Sequence, residues 1–241
     1  MHSRRFKWTI VICAIVFATV LFLFSPFFYI DEIIIRGYNT VSREEIRQRL
    51  EADRTTNLLF FNQNAARRRV TENLYIGNVS FTRSLPGRLY VEVRERRLAA
   101  YVEQSPGMYL FLDEHGRVLE VRSTMTQPLP VIVGLNFTHF TLGEVLDVPD
   151  RTAFNIMTHY AQLVYRYDLV SRVTYINVSD TANTRILVGY VEFNVGCIQD
   201  AEAKVRVMAG MLTEISEGAR GFADLRDISG DRGEFFFTIL N

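Results

Sequence analysis

The chain has 241 residues, 48% hydrophobic and 22% charged, a balance that suits one or two modest globular cores and argues against a disordered chain. Its 27 basic and 27 acidic residues cancel, yet Arg4, Arg5 and Lys7 all precede the first acidic residue, Asp31, so the remainder is slightly acidic. Without a clustered basic excess to displace phosphate counterions, a nucleic-acid surface is excluded.

From Trp8 to Ile30 no residue is charged, and Ile, Val, Leu and Phe dominate. A helix rising about 1.5 Å per residue over that stretch would cover a hydrocarbon core of about 30 Å, which predicts a single transmembrane helix over 8–30. Basic residues before it and Asp31 and Glu32 after it place a short tail, 1–7, in the cytoplasm. Trp8 and Tyr29 are positioned as interfacial anchors. The run ends Phe24-Ser25-Pro26-Phe27-Phe28-Tyr29, without the small residues of a signal-peptide cleavage site. Cys13 lies within this run, so with Cys197 as the second cysteine no internal disulfide framework is expected.

Ile33-Ile34-Ile35, closed by Gly37, reads as a first strand. Ser42-Arg43-Glu44-Glu45 has the spacing of a capping box, in which serine and glutamate satisfy amides at a helix start. A second helix is predicted from Asn64 to Asn73, with Arg67, Arg68 and Arg69 on its outer side. Strands at Gly77 to Arg83 and Arg88 to Glu95 flank the turn Leu85-Pro86-Gly87. The order β-α-α-β-β predicts a small domain over 31–95 whose helices cover one face of a three-stranded sheet.

Residues 96–241 read as a β-rich domain with two helices. Strands are predicted at Leu98 to Glu103, Tyr109 to Leu112 and Val118 to Val121, with Asp113-Glu114-His115-Gly116 as a turn. Gln127 to Gly134 reads as a strand or an extended connection, and Pro128 and Pro130 argue against a central position in a sheet. Arg151 to Tyr167 and Asp200 to Glu217 carry apolar residues at spacings of three and four, as amphipathic helices do. Further strands fall at Val173 to Val178, Arg185 to Gly189, Val191 to Val195, Phe222 to Arg226 and Phe235 to Leu240. The fold class is therefore α+β, with a membrane helix ahead of two domains.

Catalytic motifs are missing: the four histidines form no H-E-x-x-H, and there is no G-x-S-x-G or P-loop. Asp224, Asp227 and Asp231 fit no Ca²⁺ loop and read as a strand end and turn. No enzyme, metal or cofactor is expected. The Arg67–Arg69 run reads first as a solvated helix face and second as a contact for anionic headgroups or an acidic partner. The last strand, with Phe235, Phe236, Phe237, Ile239 and Leu240, is more apolar than a solvent-facing terminus should be. As an edge strand it would let a partner add a strand of its own, whereas the alternative is burial of both its faces.

Several stretches together resemble the FtsQ/DivIB family of bacterial cell-division proteins. They are Ile33-Ile34-Ile35-Arg36-Gly37 with Ser42-Arg43-Glu44-Glu45-Ile46, then Phe81-Thr82-Arg83-Ser84-Leu85-Pro86-Gly87-Arg88-Leu89 and Val91-Glu92-Val93-Arg94-Glu95-Arg96. Leu112 to Val118, Leu129 to Gly134 and Asp224-Leu225-Arg226 follow in the family's order. The resemblance implies a POTRA domain followed by a β-domain, on the outer side of the cell membrane at the division septum. It implies a divisome scaffold linking early and late division proteins, other divisome components meeting the POTRA domain. FtsB/DivIC-like and FtsL-like partners would be received at Glu234, Phe235, Phe236, Phe237, Thr238, Ile239 and Leu240 and at the neighbouring helix. A different POTRA-bearing export or assembly component would need a downstream barrel of alternating strands about ten residues long. A membrane-anchored ligand-binding protein would need a deep polar pocket.

Overall fold

The computed structural model describes residues 2–125, 127–216, 218–230 and 236–239, and the side chains of all of these except 2–7, 236 and 239. The chain divides into two units, Met1–Arg96 and Arg97–Asn241.

The first unit opens with α1 (His2–Leu23) and a 3-10 turn at Pro26–Phe28. The expected transmembrane helix over 8–30 does not form. Ser25 is extended at φ −69 and ψ 154, and Pro26 has no N–H with which to continue the helical ladder. Beyond the break the apolar residues turn inward: Phe28 is 6% exposed and Ile30, at 1%, belongs to the core that follows. From Trp8 the helix is only about 24 Å long at about 1.5 Å per residue, short of a core of about 30 Å. Among the described residues no helix is long and apolar enough to cross a membrane. A count of apolar residues cannot see that the last of them belong to a protein core.

The rest of this unit is β1 (Glu32–Arg36), α2 (Arg43–Leu50), α3 (Gln63–Thr71), β2 (Ile76–Ser84) and β3 (Arg88–Glu95). The strands lie in the order β1-β3-β2, with β1 parallel and β2 antiparallel to β3. Strand alternation sends Ile33, Ile35, Leu89, Val91 and Val93 to one face, where Ile46, Leu50, Ala66 and Val70 of the helices bury them. Gly37 has φ +80, and a Cβ there would lie 2.2 Å from the Val93 carbonyl oxygen, so the exit from β1 requires glycine. The capping box is half made. Ser42 Oγ accepts the Glu45 amide at 3.2 Å, but the Glu45 carboxylate bonds Arg49 and Asn73 instead of reaching back. The loop ahead of α2 is held by Glu95, whose carboxylate accepts the amides of Asn39, Thr40 and Val41 at 2.7–3.0 Å. The arginine run also differs from expectation. Arg67 donates to the Val79 carbonyl and Arg69 to those of Arg49 and Leu50 at the end of α2, leaving Arg68 as the exposed member.

The second unit contains β4 (Leu98–Ser105), β5 (Met108–Asp113), β6 (Val118–Arg122), β7 (Val131–Val133), α4 (Arg151–Arg166), β8 (Val173–Asn177) and β9 (Thr184–Val188). It ends with β10 (Val191–Gly196), α5 (Ala201–Glu214), β11 (Gly221–Asp224) and β12 (Phe236–Ile239). Among the described residues these strands form one nine-stranded sheet in the order β12-β11-β10-β9-β8-β7-β4-β5-β6. Both helices pack on one of its faces, sharing a core with Ile176, Ile186, Phe193 and Val195. β7 corrects the sequence reading, since it lies in the middle of the sheet, parallel to both β4 and β8. The prolines permit this because they precede the three paired residues, and Pro130 contributes only its carbonyl, which accepts the Tyr101 amide.

Candidate partner interface

β12 ends the sheet. It pairs antiparallel with β11, Ala223 opposite Phe237 and Phe222 opposite Thr238, and no strand lies on its other side among the described residues. Of the residues singled out from the sequence, Phe236, Phe237, Thr238 and Ile239 fall in this strand, while Glu234, Phe235 and Leu240 lie outside the described residues. Phe237 is half-buried against the core and Thr238 is exposed on the opposite face. Gly221 makes the pairing possible: a Cβ there would lie 2.8 Å from both Phe237 Cε2 and the Thr238 carbonyl oxygen.

The segment leading into β12 is tied to α5. Ser229 Oγ donates to Asp200 Oδ2 at 3.0 Å, and Arg206 donates to the Gly230 carbonyl at 3.3 Å. These bonds hold Ser229 and Gly230, which precede β12 in the chain, to α5 and its N-cap residue.

Next to the edge, the sheet face away from the helices carries ionic groups, of which the sequence alone singles out Asp224 and Arg226 but not Arg185, Glu192 or Tyr175. Arg185 pairs with Glu192 at 3.1 Å, and Glu192 also accepts the Tyr175 hydroxyl. Burial, then the bond to Glu192, pushes the Tyr175 phenol up to about 12. Arg226 grips Asp224 at 2.7 Å and donates to Asn183 at 3.2 Å, and its hydrogen bonds hold the Asp224 carboxyl below the usual aspartate value. The signal for this patch was available as polar residues alternating with apolar ones along β9 and β10.

Asp224 is thus committed to an arginine; Asp231 lies outside the described residues. Among the described residues no group of His, Cys, Asp and Glu could hold a metal ion. His115 sits in its predicted turn with Nδ1 3.2 Å from Gln162 Nε2, and His159 packs edge-on against Tyr160. An open strand edge offers backbone donors and acceptors for pairing, with flanking side chains to discriminate among strands.

Residues 28–96 match the family model described as POTRA domain, FtsQ-type. The class is therefore that of proteins carrying an FtsQ-type POTRA domain, here followed by a large mixed sheet. The chain is similar to Cell division protein DivIB of Clostridium tetani (strain Massachusetts / E88), 21% identical over 193 residues, which cover 80% of this chain and 72% of the relative. It is 23% identical to Cell division protein DivIB of Clostridium botulinum (strain Hall) over 203 residues, 83% of this chain and 79% of the relative. A shorter stretch of 101 residues, 42% of this chain, is 31% identical to Cell division protein DivIB of Staphylococcus aureus (strain NCTC 8325 / PS 47), covering 23% of it. The FtsQ-type POTRA domain and the similarity to DivIB proteins over most of the chain support an FtsQ/DivIB family cell-division protein.

Proposed function

We propose that this protein is a non-enzymatic divisome scaffold at the septal membrane, and that β12 receives FtsB/DivIC-like and FtsL-like partners by strand addition. The observation that carries the reading is the position of β12 at the end of its sheet, with an aromatic sequence and no charged residue in the strand. A partner strand laid along it gains main-chain hydrogen bonds, and the Asp224–Arg226 and Arg185–Glu192 pairs on the adjoining face give that partner polar groups to match. The POTRA unit docks other division proteins, so early and late components are held together and their encounters become effectively intramolecular. No bond-making step is needed for this work.

The test is capture of a DivIC-type partner by the full chain carrying Phe236→Pro, which removes one backbone donor from the strand. Capture should weaken by about tenfold or more, corresponding to about 1.4 kcal/mol, while the circular dichroism of the protein is retained. Undiminished capture by the folded variant would count against strand addition at β12.

A further inference from the structure

The first unit leaves a set of large apolar side chains uncovered at one end. Phe24, Phe27 and Leu85 are each about 60% exposed, and Phe60, in the α2–α3 connection, is 54% exposed. Folding does not explain them, because Phe61 beside Phe60 is the residue that enters the core. They gather where the chain leaves α1. Phe24 stacks on Phe60 with ring centroids 4.7 Å apart, and Phe27 stacks on Phe22 of α1 at 5.8 Å. Leu85 belongs to the β2–β3 turn, which meets the same segment through Gly87, whose carbonyl accepts the Asp31 amide at 2.8 Å.

We propose that this end of the POTRA unit rests in a lipid surface, with Phe24, Phe27, Phe60 and Leu85 lying among the headgroups and upper acyl chains. Three observations select lipid over a protein partner. First, the collar is continuous with α1, where Ile10, Val11 and Ile12 are all exposed. Consecutive helical positions are about 100° apart, so these three point to different sides, and a single protein groove covers only one. Second, two polar groups there bond within the chain, as a water-poor medium favours, while Ser25 Oγ is buried without a partner among the described residues: Thr19 Oγ1 donates to the Ile15 carbonyl at 2.9 Å, and Asn57 Nδ2 donates to the Leu23 carbonyl at the helix end at 2.8 Å. Third, the Asn57 bond and the Phe24–Phe60 stack clasp α1 to the folded unit, so whatever surface holds the helix meets the collar as well. The contact needs α1 to be immersed in acyl chains on every side.

The experiment uses the full chain with Trp8→Phe, so that the one natural tryptophan is removed, and a single tryptophan introduced by Phe60→Trp, Phe22→Trp or Tyr38→Trp. Tyr38 follows the far end of β1 and serves as the distant reporter. Each variant is mixed with phosphatidylglycerol–phosphatidylethanolamine vesicles containing lipid brominated high on the acyl chain. Emission from the Phe60→Trp protein should shift to the blue and fall at least twofold with brominated lipid, as should that of Phe22→Trp, while Tyr38→Trp is unaffected. Quenching of Phe22→Trp alone would overturn the collar, as would no quenching at either position or equal quenching at Tyr38→Trp. A blue shift of Phe60→Trp already present without vesicles would assign the patch to a second copy of the chain and overturn it too. Unchanged circular dichroism establishes that each aromatic exchange leaves the fold in place.

Discussion

The two sheets treat their edges differently. In the POTRA unit both outer strands are blunted by guanidinium groups: Arg67 occupies the Val79 carbonyl of β2, Arg96 that of Ile76, and Arg43 reaches the Ile33 carbonyl of β1. β2 also carries a register shift between Ile76 and Asn78, a second device against pairing with a neighbour. In the larger unit the last strand is short, aromatic and uncharged. Edges left available are a liability that proteins manage, so the contrast between a guarded edge in one unit and an uncharged strand ending the described sheet of the other supports the pairing proposed for β12.

The largest expected effect comes from removing the seat of the presented edge. Gly221→Val places side-chain atoms against the Phe237 ring and the Thr238 carbonyl, and overpacking of this kind costs about 1–3 kcal/mol. β12 should detach, seen as faster amide exchange in its peptides with slow exchange retained in β9 and β10. A smaller effect is expected from opening the guarded edge. Arg67→Ala frees the Val79 carbonyl and should cost about 1.5 kcal/mol in chemical denaturation, with concentration-dependent self-association as the added readout.

The smallest effect is electrostatic. Burial raises the Glu95 pKa, but the amides of Asn39, Thr40 and Val41 outweigh it and hold the carboxyl below the ordinary glutamate value. A depressed folded-state pKa contributes stability that is fully present above the unfolded value of about 4.3 and is lost as pH falls through the folded value. Denaturation midpoints between neutral pH and pH 3 should therefore decline on the acid side, and Glu95→Gln should flatten that decline by under about 1 kcal/mol, since the group is partly solvated.

Much of this architecture was legible because it rests on local chemistry. Alternation along Leu89, Val91 and Val93 gave β3 its buried face, and spacings of three and four gave α4 its core residues from Phe154 to Val164. Three features resisted for physical reasons. The apolar run at 8–30 looks uniform in sequence, yet Ser25 and Pro26 divide it between a helix and the POTRA core. Pro128 and Pro130 demote a strand only when they lie within the paired residues, and β7 begins just after them. Lys204, at an interior position of an amphipathic helix, is 1% exposed because its ammonium donates to the Cys197 carbonyl, which also accepts the Tyr160 hydroxyl. Such long-range partners are invisible to periodicity. Of the candidate interface, the sequence showed the aromatic strand; the ionic patch beside it depends on the register of β9, β10 and β11.

Hydrogen–deuterium exchange of the full chain, with and without the soluble part of a DivIC-type partner, tests the central claim most directly. Strand addition predicts that partner binding slows exchange in peptides covering Phe236–Ile239 by at least tenfold, with little change in β2 at the guarded edge. Slowed exchange in β2 with β12 unaffected would contradict it.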